Sequence, residues 1–275
     1  MPSERVLPPD AAYRPWAEWA VRIGLAPHSL GLDAAAVALC WQALLARHAG
    51  LALGLAERVV LPLTVWIIYA ADRLLDTRGR RSEPSAARHR LLWSHRTAAV
   101  ATLCAAALAD LLLTAAAVPR AVWPQGLALA AAVLAYLAAM HLTAFRRGVV
   151  KAALVAALFT AGVFLAPWSA AGSRTGLLHG PAVAFFLLCL SNLLIIDAWE
   201  RPEAVEPAFA RVWVPLVPAL LAACCAGFAQ PWPRSIAISA ALMLVLYGTG
   251  RRIALDARRA LVDAALLAPL LFLLG

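Results

Sequence analysis

Long apolar runs recur along almost the whole chain, and they limit what it can fold into more than any other feature. A helix needs about 20 predominantly apolar residues to cross a bilayer. Runs of that kind fall near 30–46, 52–75, 97–118, 122–144, 149–167, 178–199, 212–229, 235–249 and 260–274. Composition agrees: 63% of the 275 residues are hydrophobic and 14% charged, against about half and a quarter in soluble domains. The chain reads as an all-α integral membrane protein with nine transmembrane helices. Pro119, Pro124, Pro167, Pro181, Pro231 and Pro233 stand where helices are expected to stop or start.

An odd number of spans puts the two termini on opposite sides, and the basic residues choose the sides. With the N-terminus cytoplasmic, 19 of the 24 Lys and Arg residues lie in inner segments, leaving only Arg47, Arg58, Arg120, Arg174 and Arg234 outside. That is the bias of the positive-inside rule. Trp123, Trp168 and Trp232 then mark outer interfaces, and Trp93, Trp199 and Trp213 inner ones. The net charge of +9 is therefore accounted for by topology, and nucleic acid is not an expected partner. The expected location is a bacterial inner membrane.

Residues 1–28 form an N-terminal interfacial segment, and 29–275 a single transmembrane domain. Within the segment Trp16, Trp19 and Ile23 share a helical face with Arg14, Glu18 and Arg22 mostly opposite, the pattern of a helix lying in the membrane surface. No short apolar core with a cleavage site occurs there. The five cysteines show neither zinc nor disulfide spacing and read as small core residues.

Against this apolar background, three charged clusters fall on the expected cytoplasmic side. Asp72 and Asp76 close the second span; their i, i+4 spacing puts both carboxylates on one helical face. Ionisable groups at a membrane helix end are costly without a cationic partner and mark function. Oxygen donors of this kind suit Mg²⁺ shared with a diphosphate. The alternative is that they pair with Arg73, Arg78 or Arg80 at the helix end. Asn192, Asp197 and Glu200 end the sixth span on adjoining positions, again a hard-cation ligand set. Arg146, Arg147 and Lys151 follow the fourth span and suit diphosphate oxygens; the alternative is attraction to anionic lipid. Asp110 lies inside the third span with no partner evident from sequence, Asp33 and Asp263 read as helix-end caps, and His89 and His95 as solvated residues of an Arg-rich loop.

On these residues the chain resembles the UbiA superfamily of intramembrane prenyltransferases. The family's first motif, N-D-x-x-D-x-x-x-D on the second helix, is matched in its last two acids by Asp72 and Asp76, while Ile68 and Tyr69 replace the leading pair. The second, D-x-x-D-x-x-x-D on the sixth, is matched by Asp197 and Glu200, with Ala204 at the third place and Glu203 and Glu206 nearby. The Y-x-x-x-K-R-x-T motif after the fourth helix keeps Tyr136 and Thr143 but has Met140 and His141 for its Lys-Arg pair. Asn192, Ile196 and Glu200 also follow the N-x-x-x-S-x-x-x-E spacing of class I terpene synthases, with Ile in place of Ser.

The resemblance implies nine helices around a central cavity. It also implies Mg²⁺ on Asp72, Asp76, Asn192, Asp197 and Glu200, and substrate contacts from Arg73, Tyr136, His141, Arg146, Arg147 and Lys151. The expected activity is Mg²⁺-dependent transfer of an isoprenyl group from its diphosphate to an aromatic or hydroxyl-bearing acceptor, with the 78–96 loop as a lid. The alternatives are a membrane terpene cyclase on the same scaffold and a non-enzymatic binder or transporter of lipid diphosphates.

Overall fold

The computed structural model of the chain describes residues 28, 30–76, 96–142, 148–200, 207–249 and 253–274. The expected interfacial helix, the lid loop, Thr143, Arg146, Arg147, Glu203, Ala204 and Glu206 lie outside them. The described residues are mostly helical, with no strand: α1 (Leu32–His48), α2 (Leu55–Asp76), α3 (Arg96–Ala117), α4 (Trp123–Leu142), α5 (Val149–Ala171), α6 (Gly176–Glu200), α7 (Pro207–Ala226), α8 (Pro231–Thr249), α9 (Leu255–Ala265) and a final turn, α10 (Leu270–Leu273). Eight of the nine expected segments overlap α1 to α8, while the ninth, 260–274, takes in only the second half of α9 and the separate turn α10. Among the described residues four helical stretches, Arg96–Ala117, Arg120–His141, Val149–Arg174 and Gly176–Glu200, are long and apolar enough to cross a bilayer. This is a membrane protein.

Two proline breaks are corrected. Pro167 lies inside α5 and Pro181 inside α6, and both are buried. Pro181 sits in the second turn of its helix, so its ring reaches back toward carbonyls at the very start, and packing against neighbours holds the rest in register. Pro62, Pro215 and Pro218 are likewise internal to their helices.

The core sits where α1, α5 and α6 meet. Trp41, Phe164 and Phe185 are fully buried, with Phe185 centred 4.7 Å from Trp41, 6.0 Å from Phe159 and 6.1 Å from Phe164. Tilted rings at such separations add attraction beyond the area they bury. The Trp41 indole donates at 2.8 Å to the Leu266 carbonyl and so ties α1 to the turn after α9. Ile236 and Met243 of α8 and Val262 of α9 close the core from the other side. By contrast, no residue of α3 is buried, and Leu108, Leu111 and Leu112 are more than half exposed. A face that apolar suits lipid rather than water.

Because consecutive helices run up and down, the ends of α2, α4 and α6 meet the starts of α1 and α9 at one end of the bundle. Side-chain bonds confirm that meeting: His141 of α4 reaches Asp72 of α2, Arg73 of α2 reaches the His28 carbonyl before α1, and Glu200 of α6 reaches Arg259 of α9. At the opposite end Arg174 donates to the carbonyls of Ala49 and Gly50, and Arg47 to that of Phe272.

Candidate functional site

The polar end of the bundle holds three linked groups. In the first, the α2 register brings Asp72 and Asp76 to the same face, and α4 supplies His141 between them. His141 Nε2 lies 3.0 Å from Asp72 Oδ1, and its Nδ1 lies 3.8 Å from Asp76 Oδ1. The Asp72 and Asp76 side chains are 32% and 41% exposed and His141 is 17% exposed, so the carboxylates open outward from a more sheltered imidazole. Tyr136, one turn earlier on α4 and half-buried, lies within electrostatic reach of both acids. The expected places on the second and fourth helices are therefore neighbours in space.

The second group surrounds a small cavity. His28 Nδ1 lies 2.6 Å from Asp33 Oδ2 and 3.3 Å from Asp263 Oδ2, while Asn192 Nδ2 donates to Asp263 Oδ1 at 3.2 Å and to the Val262 carbonyl at 3.0 Å. Arg73 is buried here. It donates to the His28 carbonyl at 3.1 Å and lies over the Tyr69 ring at 5.5 Å. The cavity, about 40 Å³, is lined on its polar side by Asp33, Tyr69, Asn192 and Asp263 and on its apolar side by Val37, Phe159 and Leu266 among others. That is room for a water or two. His28 stands outside the expected spans; burial alone pushes its imidazole down, but Asp263 and Asp33 outweigh that and hold it up at about 9. Gly31 permits the arrangement: its φ is +74°, and a Cβ there would stand 3.2 Å from Arg73 Nη1.

In the third group Arg259 binds Glu200 at 2.7 Å and Asp256 at 2.8 Å, and Arg258 lies over the Trp199 ring at 5.2 Å. Tyr69 connects the first two groups, being within electrostatic reach of Asp263, Asp33, Arg73 and Asp72.

Of the residues expected to act together, the structure gathers Asp72, Asp76, Tyr136 and His141. It directs Arg73 and Asn192 to the second group and Glu200 to the third. Asp197 and Lys151 are half-buried on α6 and in the first turn of α5. Two readings from sequence are corrected. Asp33 is not the N-cap residue of α1, which is Gly31, although its Oδ1 accepts the first-turn N–H of Ala34 at 2.9 Å; its other oxygen and Asp263 face one histidine. Asp110 has a partner: Thr64 Oγ1 of α2 donates to it at 2.7 Å. No signal short of the packed bundle joins His28 to Asp263 across the length of the chain. No family model, curated protein or solved structure matches the chain.

Proposed function

We propose that the protein is an intramembrane prenyltransferase of bacterial inner membranes, UbiA-like in its nine spans, with its site at the cytoplasmic end of the bundle. The observation that carries this reading is the convergence of Asp72, Asp76 and His141 from α2 and α4. Two half-exposed carboxylates around one point are an oxygen donor set that fits Mg²⁺. Asn192 faces Asp263 and Glu200 faces Arg259 in the other two groups, so Asp72 and Asp76, side by side on α2, are the residues that would hold the ion. When bound, Mg²⁺ supplies charge neutralisation for a departing diphosphate.

The chain's own residues do the rest. Asp72 and Asp76 would hold Mg²⁺ against the head of an isoprenyl diphosphate at the bundle's polar end. His141, which lies against both carboxylates, would offer a ring N–H to the head. Lys151, with Arg146 and Arg147 before it in sequence, adds cationic charge against the leaving oxygens. The apolar helices keep water from the allylic carbon until an aromatic or hydroxyl acceptor captures it. At about 40 Å³ the cavity beside Asp263 is too small to take a prenyl tail.

That small cavity, with Glu200 tied to Arg259, favours one second reading: a binder of lipid diphosphates that does not ionise them. Pyrophosphate release from geranyl, farnesyl and geranylgeranyl diphosphates by the protein in lipid, with and without Mg²⁺, separates the two. Mg²⁺-dependent release that disappears in Asp72→Asn and Asp76→Asn supports transfer. Product formed without an acceptor would mean cyclisation instead, and donor binding without release would leave the binder.

A further inference from the structure

We infer that Asp110, held by Thr64, is an intramembrane proton-binding site, its carboxyl kept neutral within the hydrocarbon layer and reached from lipid. Asp110 lies on α3, one of the helices long and apolar enough to cross a bilayer. At 1.5 Å per residue it stands about 21 Å from Arg96 and about 10 Å from Ala117, inside a hydrocarbon layer about 30 Å thick. Its short side chain has no stem with which to carry a charge back to the surface, as lysine and arginine do. Acids at such depth are rare and mark function.

Nothing near Asp110 offsets a charge on it. α3 packs on α2, and Leu103, Ala106, Asp110 and Leu113 follow one another along the half-buried stripe of α3. The charged residues of α2, which are Glu57, Arg58, Asp72, Arg73 and Asp76, stand at its two ends, and Tyr69 lines the cavity beside Asp263. On α3 the other charged residue is Arg96, at its start. No charged group among the described residues lies within electrostatic reach of Asp110. Thr64 Oγ1 donates to its Oδ2 at 2.7 Å, and its Oδ1 is buried without a partner. An ionised carboxylate has about four acceptor positions, so one neutral hydroxyl leaves a charge there almost unsolvated. A proton on Oδ1 removes that charge and keeps the Thr64 bond.

Asp110 is itself partly exposed, and Leu108, Leu111 and Leu112 beside it are more than half exposed, so molecules dissolved in lipid reach the seam. A neutral carboxyl so placed reacts with an apolar carbodiimide. Its proton passes to one carbodiimide nitrogen and its oxygen bonds to the central carbon; the acyl group then shifts to nitrogen, leaving a stable adduct with nothing released. The inference is independent of the prenyltransferase reading.

The test treats the full-length protein in lipid nanodiscs with dicyclohexylcarbodiimide or with a water-soluble carbodiimide at equal concentration, and maps adducts by peptide mass spectrometry. Asp110 is expected to react at least roughly tenfold more with the apolar reagent, while Asp72 and Asp76, at the polar end, show the opposite preference. The Asp110 adduct should form to the same extent at pH 6 and pH 8. Both measurements use the unaltered chain, so neither depends on a variant that folds. Equal reaction with the two reagents would mean that water reaches Asp110, and loss of the adduct between pH 6 and pH 8 would mean that it ionises there. No adduct at Asp110 would mean that lipid meets no protonated carboxyl. Each of these three results would overturn the site and leave Asp110 as a packing contact between α2 and α3.

Discussion

Asn192 Nδ2 donates at 3.0 Å to the carbonyl of Val262, joining α6 to α9 across 70 positions of sequence. Both partners are buried, so the bond belongs to the frame of the bundle. Asn192→Ala leaves a buried carbonyl without its donor and is expected to cost about 1–3 kcal/mol. A lowered unfolding midpoint in detergent, the same with and without Mg²⁺, is the expected result. An unchanged midpoint with a weakened Mg²⁺ response would return Asn192 to the ligand role that its sequence spacing suggested.

Arg259 is enclosed between Glu200 and Asp256, its side chain 7% exposed and that of Glu200 24% exposed. Arg259→Met removes the cation that both acids share. Loss of one partner from a buried pair costs about 3–5 kcal/mol; the partial exposure of Glu200 reduces the expectation to about 2 kcal/mol. Glu200→Gln in the same chain should recover part of that loss, and a double-mutant cycle on thermal unfolding measures the coupling.

His28 provides a pH signature. Its imidazole is held up at about 9 by Asp263 and Asp33, against 6.5 unperturbed. A raised pKa means the folded state holds the proton more tightly. The stabilisation is therefore complete below about pH 6.5 and disappears as pH rises through about 9, on the order of 3 kcal/mol in all. The unfolding midpoint should fall between pH 7 and pH 10, and His28→Gln should flatten that fall. Equal slopes in both proteins would count against the assignment.

Asp72 and His141 should separate in kinetics. Asp72→Asn removes a direct donor and is expected to lower Mg²⁺-dependent pyrophosphate release by about 10²–10³-fold. His141→Gln keeps a hydrogen-bonding side chain beside both acids and should act mainly on the donor KM. Equal losses in kcat from the two variants would place the histidine in the chemistry itself.

Trp41 tests the fold independently of the site. Trp41→Phe retains most of the ring packing on Phe185 but removes the donor to Leu266, an expected cost of about 1–2 kcal/mol. Trp41→Ala should cost about 3–5 kcal/mol, read as loss of folded protein in detergent.

The helices were legible from the sequence because apolar length is a local property: eight of the expected segments fall on α1 to α8, the ninth straddles α9 and α10, and the acids at the ends of α2 and α6 lie where those helices end. Proline was the weak signal, since Pro167 and Pro181 continue helices that packing supports. The site was only half legible. Asp72 and Asp76 are neighbours by helical periodicity alone, whereas Asp33 and Asp263 looked like caps because each was read beside its own sequence neighbours.

What the sequence determined by itself is a chain of apolar helices with its acidic clusters at the ends of α2 and α6, since hydropathy and i, i+4 spacing depend on nearby residues only. Which face each helix turns inward was decided by tertiary packing. A helix such as α6, apolar almost all round, carries no periodic stripe to fix its rotation. Interlocking of Trp41, Phe164 and Phe185 set that rotation, and with it Asn192 was turned toward Asp263, Glu200 toward Arg259, and His28 between two aspartates 230 residues apart in sequence.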